Sequence, residues 1–178
     1  QIERKLYEPT AAASPSREID DEDDATATLL RTAEKMLNSN DLVSANMLYQ
    51  RALSTNPESI AALKGMAHIA ELREKPQEAL QAYREITRLN GDNEIAHRGV
   101  AKNLMTLGLY DKAIDQLNKF RTLRGDDPET LNLLGMAYTR ADELPGHYEK
   151  AIETFKTSLA IEPVRLTTLN ILGFTYFM

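Results

Sequence analysis

From Thr26 onward the apolar residues return with the 3.6-residue period of a helix, and polar or Gly/Pro turns interrupt them near Asn40, Pro57, Lys75, Gly91, Gly108 and Gly125. The pattern predicts helices over 26–39, 42–55, 59–73, 76–89, 93–106, 110–123, 128–141, 147–161 and 165–178. Alternate helices carry an alanine followed four residues later by Tyr or a large apolar residue: Ala45/Tyr49, Ala79/Tyr83, Ala113/Leu117 and Ala151/Phe155. The first three of these alanines are 34 residues apart, as are Leu29 and Leu63, Ala67 and Ala101, and Gly91 and Gly125. A period of 34 built from two helices is the arithmetic of an all-α stacked array, in which each unit covers the next and no single central core exists. The units fall at 26–59, 60–93, 94–127 and 128–165, with the first helix of a fifth at 166–178. Ala33, Ala67, Ala101, Gly135 and Gly173 occupy places where the two helices of a unit must approach closely, and added volume there would push them apart.

Charge changes the picture at one end only. The 178 residues carry a net charge of -6, and the first 25 hold eight acidic groups against three basic ones, leaving the array close to neutral. That opening also has Pro9 and an Ala/Ser/Pro run over 11–16, so residues 1–25 read as a disordered acidic tether, with Asp23 and Asp24 favouring the dipole of the first helix. The start at Gln1 reads as a processed or cut end. Cysteine is absent, which excludes disulfides, thiol catalysis and Cys-ligated zinc within the sequence. No apolar run approaches the roughly 18 residues of a membrane span.

The fourth unit reads Leu131-x-x-Leu134-Gly135-x-x-Tyr138, then Ala151-x-x-x-Phe155 and Pro163, while Ala45, Tyr49, Ala52 and Pro57 supply the late landmarks of the first. Over 26–178 this pattern resembles the tetratricopeptide repeat (TPR) family. It departs from the family in three places: the first unit lacks the Leu-Gly pair, Gly91 and Gly125 replace the inter-repeat proline, and Asp142–His147 adds about four residues to the fourth unit. The resemblance implies a right-handed superhelical solenoid of antiparallel helix pairs, about four and a half repeats long. It further implies that the first helices line a concave groove holding a protein or peptide segment.

Placed on that groove, one column of positions reads Leu30, Lys64, Arg98, Asn132 and Asn170, and the next Glu34, His68, Lys102, Met136 and Phe174. The expected site is therefore a cationic centre of Lys64, His68, Arg98 and Lys102, grading into an end made by Asn132, Met136, Asn170 and Phe174. Such a groove suits a segment with acidic residues and an apolar anchor, the asparagines donating to and accepting from its peptide bonds. The clamp that some family members use for chaperone tails is not matched, since Leu30, Glu34, Gly65, Ile95 and Gly99 stand in the corresponding places. The acidic block of the tether offers a competing ligand for the same cations. Leu166, Ile171, Phe177 and Met178 leave the last helix apolar on more than one side, an end interface for further repeats of a longer chain, for a partner or for self-association.

Catalysis, cofactors and metals are not expected. There is no Gly-rich phosphate cradle, His68, His97 and His147 lack ligand spacing, and no basic stripe points to nucleic acid. Arg124-Gly125-Asp126 falls on an inter-repeat turn, one period after Asn90-Gly91-Asp92. The acidic tether followed by a short array is similar to bacterial TPR lipoproteins that help assemble pili or secretion machines, such as the tight-adherence pilus lipoprotein and type IV pilotins. That similarity implies the periplasmic face of the outer membrane, reached through a lipid anchor outside this sequence; the alternative is a cytoplasmic scaffold.

Overall fold

The computed structural model describes the backbone of residues 16–177 and the side chains of residues 24–177. Among the described residues there are nine helices and no strand: α1 Ser16–Asn38, α2 Leu42–Thr55, α3 Ile60–Leu72, α4 Pro76–Leu89, α5 Glu94–Thr106, α6 Tyr110–Arg124, α7 Pro128–Tyr138, α8 His147–Ile161 and α9 Leu166–Phe177. Each helix packs on the next, and α1 also touches α3 as α5 touches α7. Those longer-range contacts draw the first helices of the pairs together, which puts them on the inside of the curve.

Local chemistry sets the boundaries. Ser59, Asn93 and Asp127 are N-caps of α3, α5 and α7, their side-chain oxygens accepting from the backbone N–H of Ala62, Ala96 and both Glu129 and Thr130. Residues 59 and 93, expected inside their helices, are thus the caps that start them. Within the first three pairs the turn is built the same way. Asn40, Glu74 and Gly108, spaced by 34, all adopt left-handed backbone with φ of 62°, 55° and 73°. The N–H of the residue after each one donates back to Met36, Ala70 and Leu104, at 2.9 Å every time. The fourth pair breaks this rule. Its α7 stops at Tyr138, three residues short of the expected 141, because the added residues make a turn of their own that ends at Gly146 with φ 68°.

The acidic block is the other difference. Residues 16–25, expected in the tether, form the opening of α1; Glu18 lies in its first turn, where the dipole favours negative charge, whereas Asp23 and Asp24, expected just before the first helix, lie about two turns inside it, beyond the reach of that effect. The remainder of the expected tether, 1–15, lies outside the described residues.

Between helices the close approaches are made at small residues. Ala33, Ala45, Ala67, Ala79, Ala101, Ala113 and Ala151 are fully buried. Gly135 lies under the ring of Phe155, and a Cβ built there would be 2.5–2.8 Å from three ring carbons. Two further glycines do the same between consecutive pairs: Gly65 seats the ring of Tyr49, and Gly99 that of Tyr83 at 2.6–2.7 Å. Gly173, expected in a similar role, has nothing within 4 Å because no described helix packs on that side of α9.

Candidate groove on the first helices

The expected cationic centre is corrected by the residues that arrive beside it. Arg98, on the inner side of α5, has only 12% of its side chain exposed and is held by three carboxylates: Glu94 one turn earlier, Asp127 at 3.0 Å and Glu129 at 3.5 Å. Asp127 and Glu129 come from the cap and first turn of α7, so the guanidinium fastens the third pair to the fourth. Its charge is spent within the fold and is not presented to a ligand. Lys102 on the same helix is exposed and Lys64 half-buried, and neither has an ion-pair partner among the described residues. His68 is exposed, 4.0 Å from Glu71.

Glu71 is the residue around which this part of the groove is organised. One of its oxygens accepts from the Asn103 amide at 3.0 Å and the other from the Tyr83 hydroxyl at 3.3 Å. Asn103 is buried and also donates to Gly99 O, closing a bridge from α3 to α5. Burial, and then the negative charge of Glu71 beside it, push the Tyr83 phenol well above its ordinary value. Recesses open on both sides of Lys102, one bordered by Glu71, Glu74 and Thr106 and the other by Ile95, Arg98 and Glu129. Carboxylates therefore share the centre with the lysines. A column of single positions on first helices does not reveal this, since Glu71 lies one turn further along α3 and Glu129 one turn before Asn132.

Asn132 also departs from expectation. It is buried, and its Oδ1 accepts from Thr168 Oγ1 at 2.6 Å and Ser158 Oγ at 3.3 Å. The side chain ties α7 to α8 and α9 and serves register rather than ligand capture. Asn170, its counterpart one unit later, is exposed.

Met136, Asn170 and Phe174 do come together. With Tyr148 of α8 and Ile171 they line a recess of about 330 Å³ between α7, α8 and α9, with Arg140 and Thr139 at its edge. Ile171, assigned from sequence to the outer end of the array, belongs to this recess. Leu166 and Phe177 are exposed, at 69% and 88%, while Met178 lies outside the described residues. The helix α9 is inverted relative to its composition: Thr168 and Thr175 are buried, and Leu169, Phe174 and Tyr176 are exposed.

The remaining histidines are structural. His97 is buried and stacked on Phe120 at 4.8 Å, donating from Nε2 to Gly91 O and receiving the Gln116 amide at Nδ1. His147 contacts Tyr138 O through Nδ1. In the Arg124-Gly125-Asp126 turn, the carboxylate is paired with Arg121 at 2.7 Å.

Fold and groove together define a TPR-like helical solenoid. No family model matches the chain. Among curated proteins it is 33% identical over 133 residues to the RNA polymerase-associated protein CTR9 of Saccharomyces cerevisiae and 33% identical over 131 residues to the BBSome complex member BBS4 of Bos taurus. These matches take in 71% and 72% of the chain but only 12% and 24% of those much longer relatives. Among solved structures it superposes on MamA with TM-score 0.74 at 20% identity, covering 86% of this chain and 81% of that one. The corresponding values are 0.70, 20%, 90% and 81% for YrrB, described as a TPR protein with an unusual peptide-binding site. For Pseudomonas aeruginosa pilF they are 0.71, 18%, 88% and 70%. At these identities the superpositions establish the fold.

Proposed function

We propose that the chain is a non-enzymatic protein-interaction array that holds a segment of a partner along the inner face of its first helices. The observation that carries this reading is the recess between α7, α8 and α9, where Phe174 stays 61% exposed beside Met136 and Asn170 on the inward side of a curved stack. An apolar concavity edged by a few polar groups is the ordinary form of a binding site. The likeness to YrrB supports a peptide as the ligand, and the names of CTR9 and BBS4 associate those relatives with larger protein assemblies.

Within this reading the setting is assembly of a bacterial pilus or secretion machine at the periplasmic face of the outer membrane, supported by the pilF likeness and the acidic Ala/Ser/Pro opening. A scaffold inside the cell is the second reading, favoured by the two curated relatives. Affinity capture from separated envelope and cytosolic fractions of the source cell decides between them. The bait is compared with a Lys102→Glu, Asn170→Asp version and with Lys119→Glu on the outer helix α6. A partner lost with the inner-face version and kept by the Lys119 version supports the groove, and its fraction of origin gives the setting. Capture that ignores the inner-face changes overturns the reading. Arg98 is unsuited to such a test, because reversing its charge would set four carboxylates against one another.

A further inference from the structure

The recess between α7, α8 and α9 offers one cation, and that cation is Arg140. It stands on the rim with Met136 and Thr139, in the turn just past the end of α7. Its guanidinium is exposed, and no carboxylate of the described residues lies within 4.0 Å of it. Asp142 and Glu143 follow in the chain and border a separate recess on the other side of Arg140, so the arginine divides an acidic hollow from an apolar one. Arg98 makes the contrast, since three carboxylates neutralise it. The floor and walls of the apolar recess are Met136, Ile171 and the rings of Tyr148 and Phe174, and its exposed lining is mainly apolar. A methionine in such a wall adapts its shape to the side chain that enters. Asn170 on the facing helix is exposed and has no protein partner among the described residues, leaving its amide to meet a peptide bond.

We infer that this recess takes a single large apolar side chain of the Phe or Leu class, from a partner segment that carries a carboxylate next to it, paired with Arg140. The inference rests on the groove reading above and makes it specific: the acid binds at Arg140, forty-two residues along from the arginine that the sequence pattern suggests. Charge complementarity selects the acid, because a basic neighbour would face the only unpaired guanidinium at the rim. Apolar contact in the recess supplies most of the affinity, as buried anchors do in other interfaces, while the rim pair fixes register.

The test is selection of short random peptides displayed on phage against the full 178-residue chain. The enriched sequence is then synthesised with a fluorophore for anisotropy titration. An enriched Phe or Leu beside Asp or Glu is expected, with binding about tenfold weaker to Phe174→Ala and to Arg140→Glu. A peptide with Lys in place of the acid should bind Arg140→Glu better than the native array. Both substituted side chains are exposed, and unchanged circular dichroism controls for folding. Enriched peptides that are weakened by Lys102→Glu but indifferent to Arg140 and Phe174 overturn this assignment and leave the groove reading standing. No enrichment at all overturns both. A concentration-dependent rise in mass that Phe174→Ala abolishes also overturns it, since the occupant is then a second copy.

Discussion

Replacing Gly99 with alanine should destabilise the array, although the same change at Gly173 should not. Both glycines lie inside helices, where alanine is favoured by about 1 kcal/mol on propensity alone. The surroundings differ. At Gly173 a Cβ meets nothing within 4 Å, so the propensity gain stands and stability should rise by about 0.5–1 kcal/mol. At Gly99 the Cβ would sit 2.6–2.7 Å from three carbons of the Tyr83 ring. That ring is buried and its hydroxyl is anchored on Glu71, so it has no free space to swing into. Overpacking of this kind costs about 1–3 kcal/mol, which exceeds the propensity gain and leaves a net loss of about 1 kcal/mol. Urea unfolding followed by circular dichroism reads the sign as opposite shifts of the transition midpoint. Because repeats can unfold in stages, hydrogen exchange of α4 and α5 should localise the loss. Removing the ring with Tyr83→Leu should lift the penalty of Gly99→Ala. If both alanines shift the midpoint upward by similar amounts, the ring-on-glycine account of the repeat junction is wrong.

Other consequences follow from single contacts. Glu74 holds the left-handed turn that Gly108 occupies one period later, so Glu74→Gly should stabilise by about 0.5–1 kcal/mol in thermal melts. Thr168→Val removes the shorter of two donors to Asn132 from a buried site and should cost about 0.5–1.5 kcal/mol, seen as faster hydrogen exchange in α9. Burial raises the phenols of Tyr83 and Tyr49 in the fold, with Glu71 and Glu34 respectively adding to the effect. Their contribution is therefore complete below the ordinary value of 10.0 and is lost as pH climbs above it, because the unfolded chain releases those protons first. Tyr83→Phe should flatten the alkaline limb of a stability–pH curve; an unchanged limb would contradict the cause given.

The helices are legible in the sequence because all but the last carry an apolar stripe at the helical period and are separated by turn residues such as Asn40, Gly108 and Gly125, while the caps Ser59 and Asn93 read as helix interior. Repeat spacing likewise points to the fully buried alanines. Events between units are less legible. Arg98 reads as a free cation on its own helix, and only the arrival of Asp127 and Glu129 from the next pair cancels it. Asn132 reads as a groove amide until α8 and α9 bring two hydroxyls to it. Gly65 and Gly99 are 34 residues apart and each lies sixteen after a repeat tyrosine, a signal present in the sequence but outside the Leu-Gly landmark of the repeat. Arg140 escapes notice because it follows the last helical turn of α7, outside any repeating column.

The most direct test of a groove that holds a partner is photo-crosslinking in the source cell, with a benzophenone amino acid placed in turn at Asn170 on the inner face and at Lys119 on the outer helix α6. Both side chains are exposed, so neither substitution should disturb packing. The account predicts a discrete protein adduct from position 170 and none from 119. Adducts from 119 alone, or equal adducts from both, would contradict it.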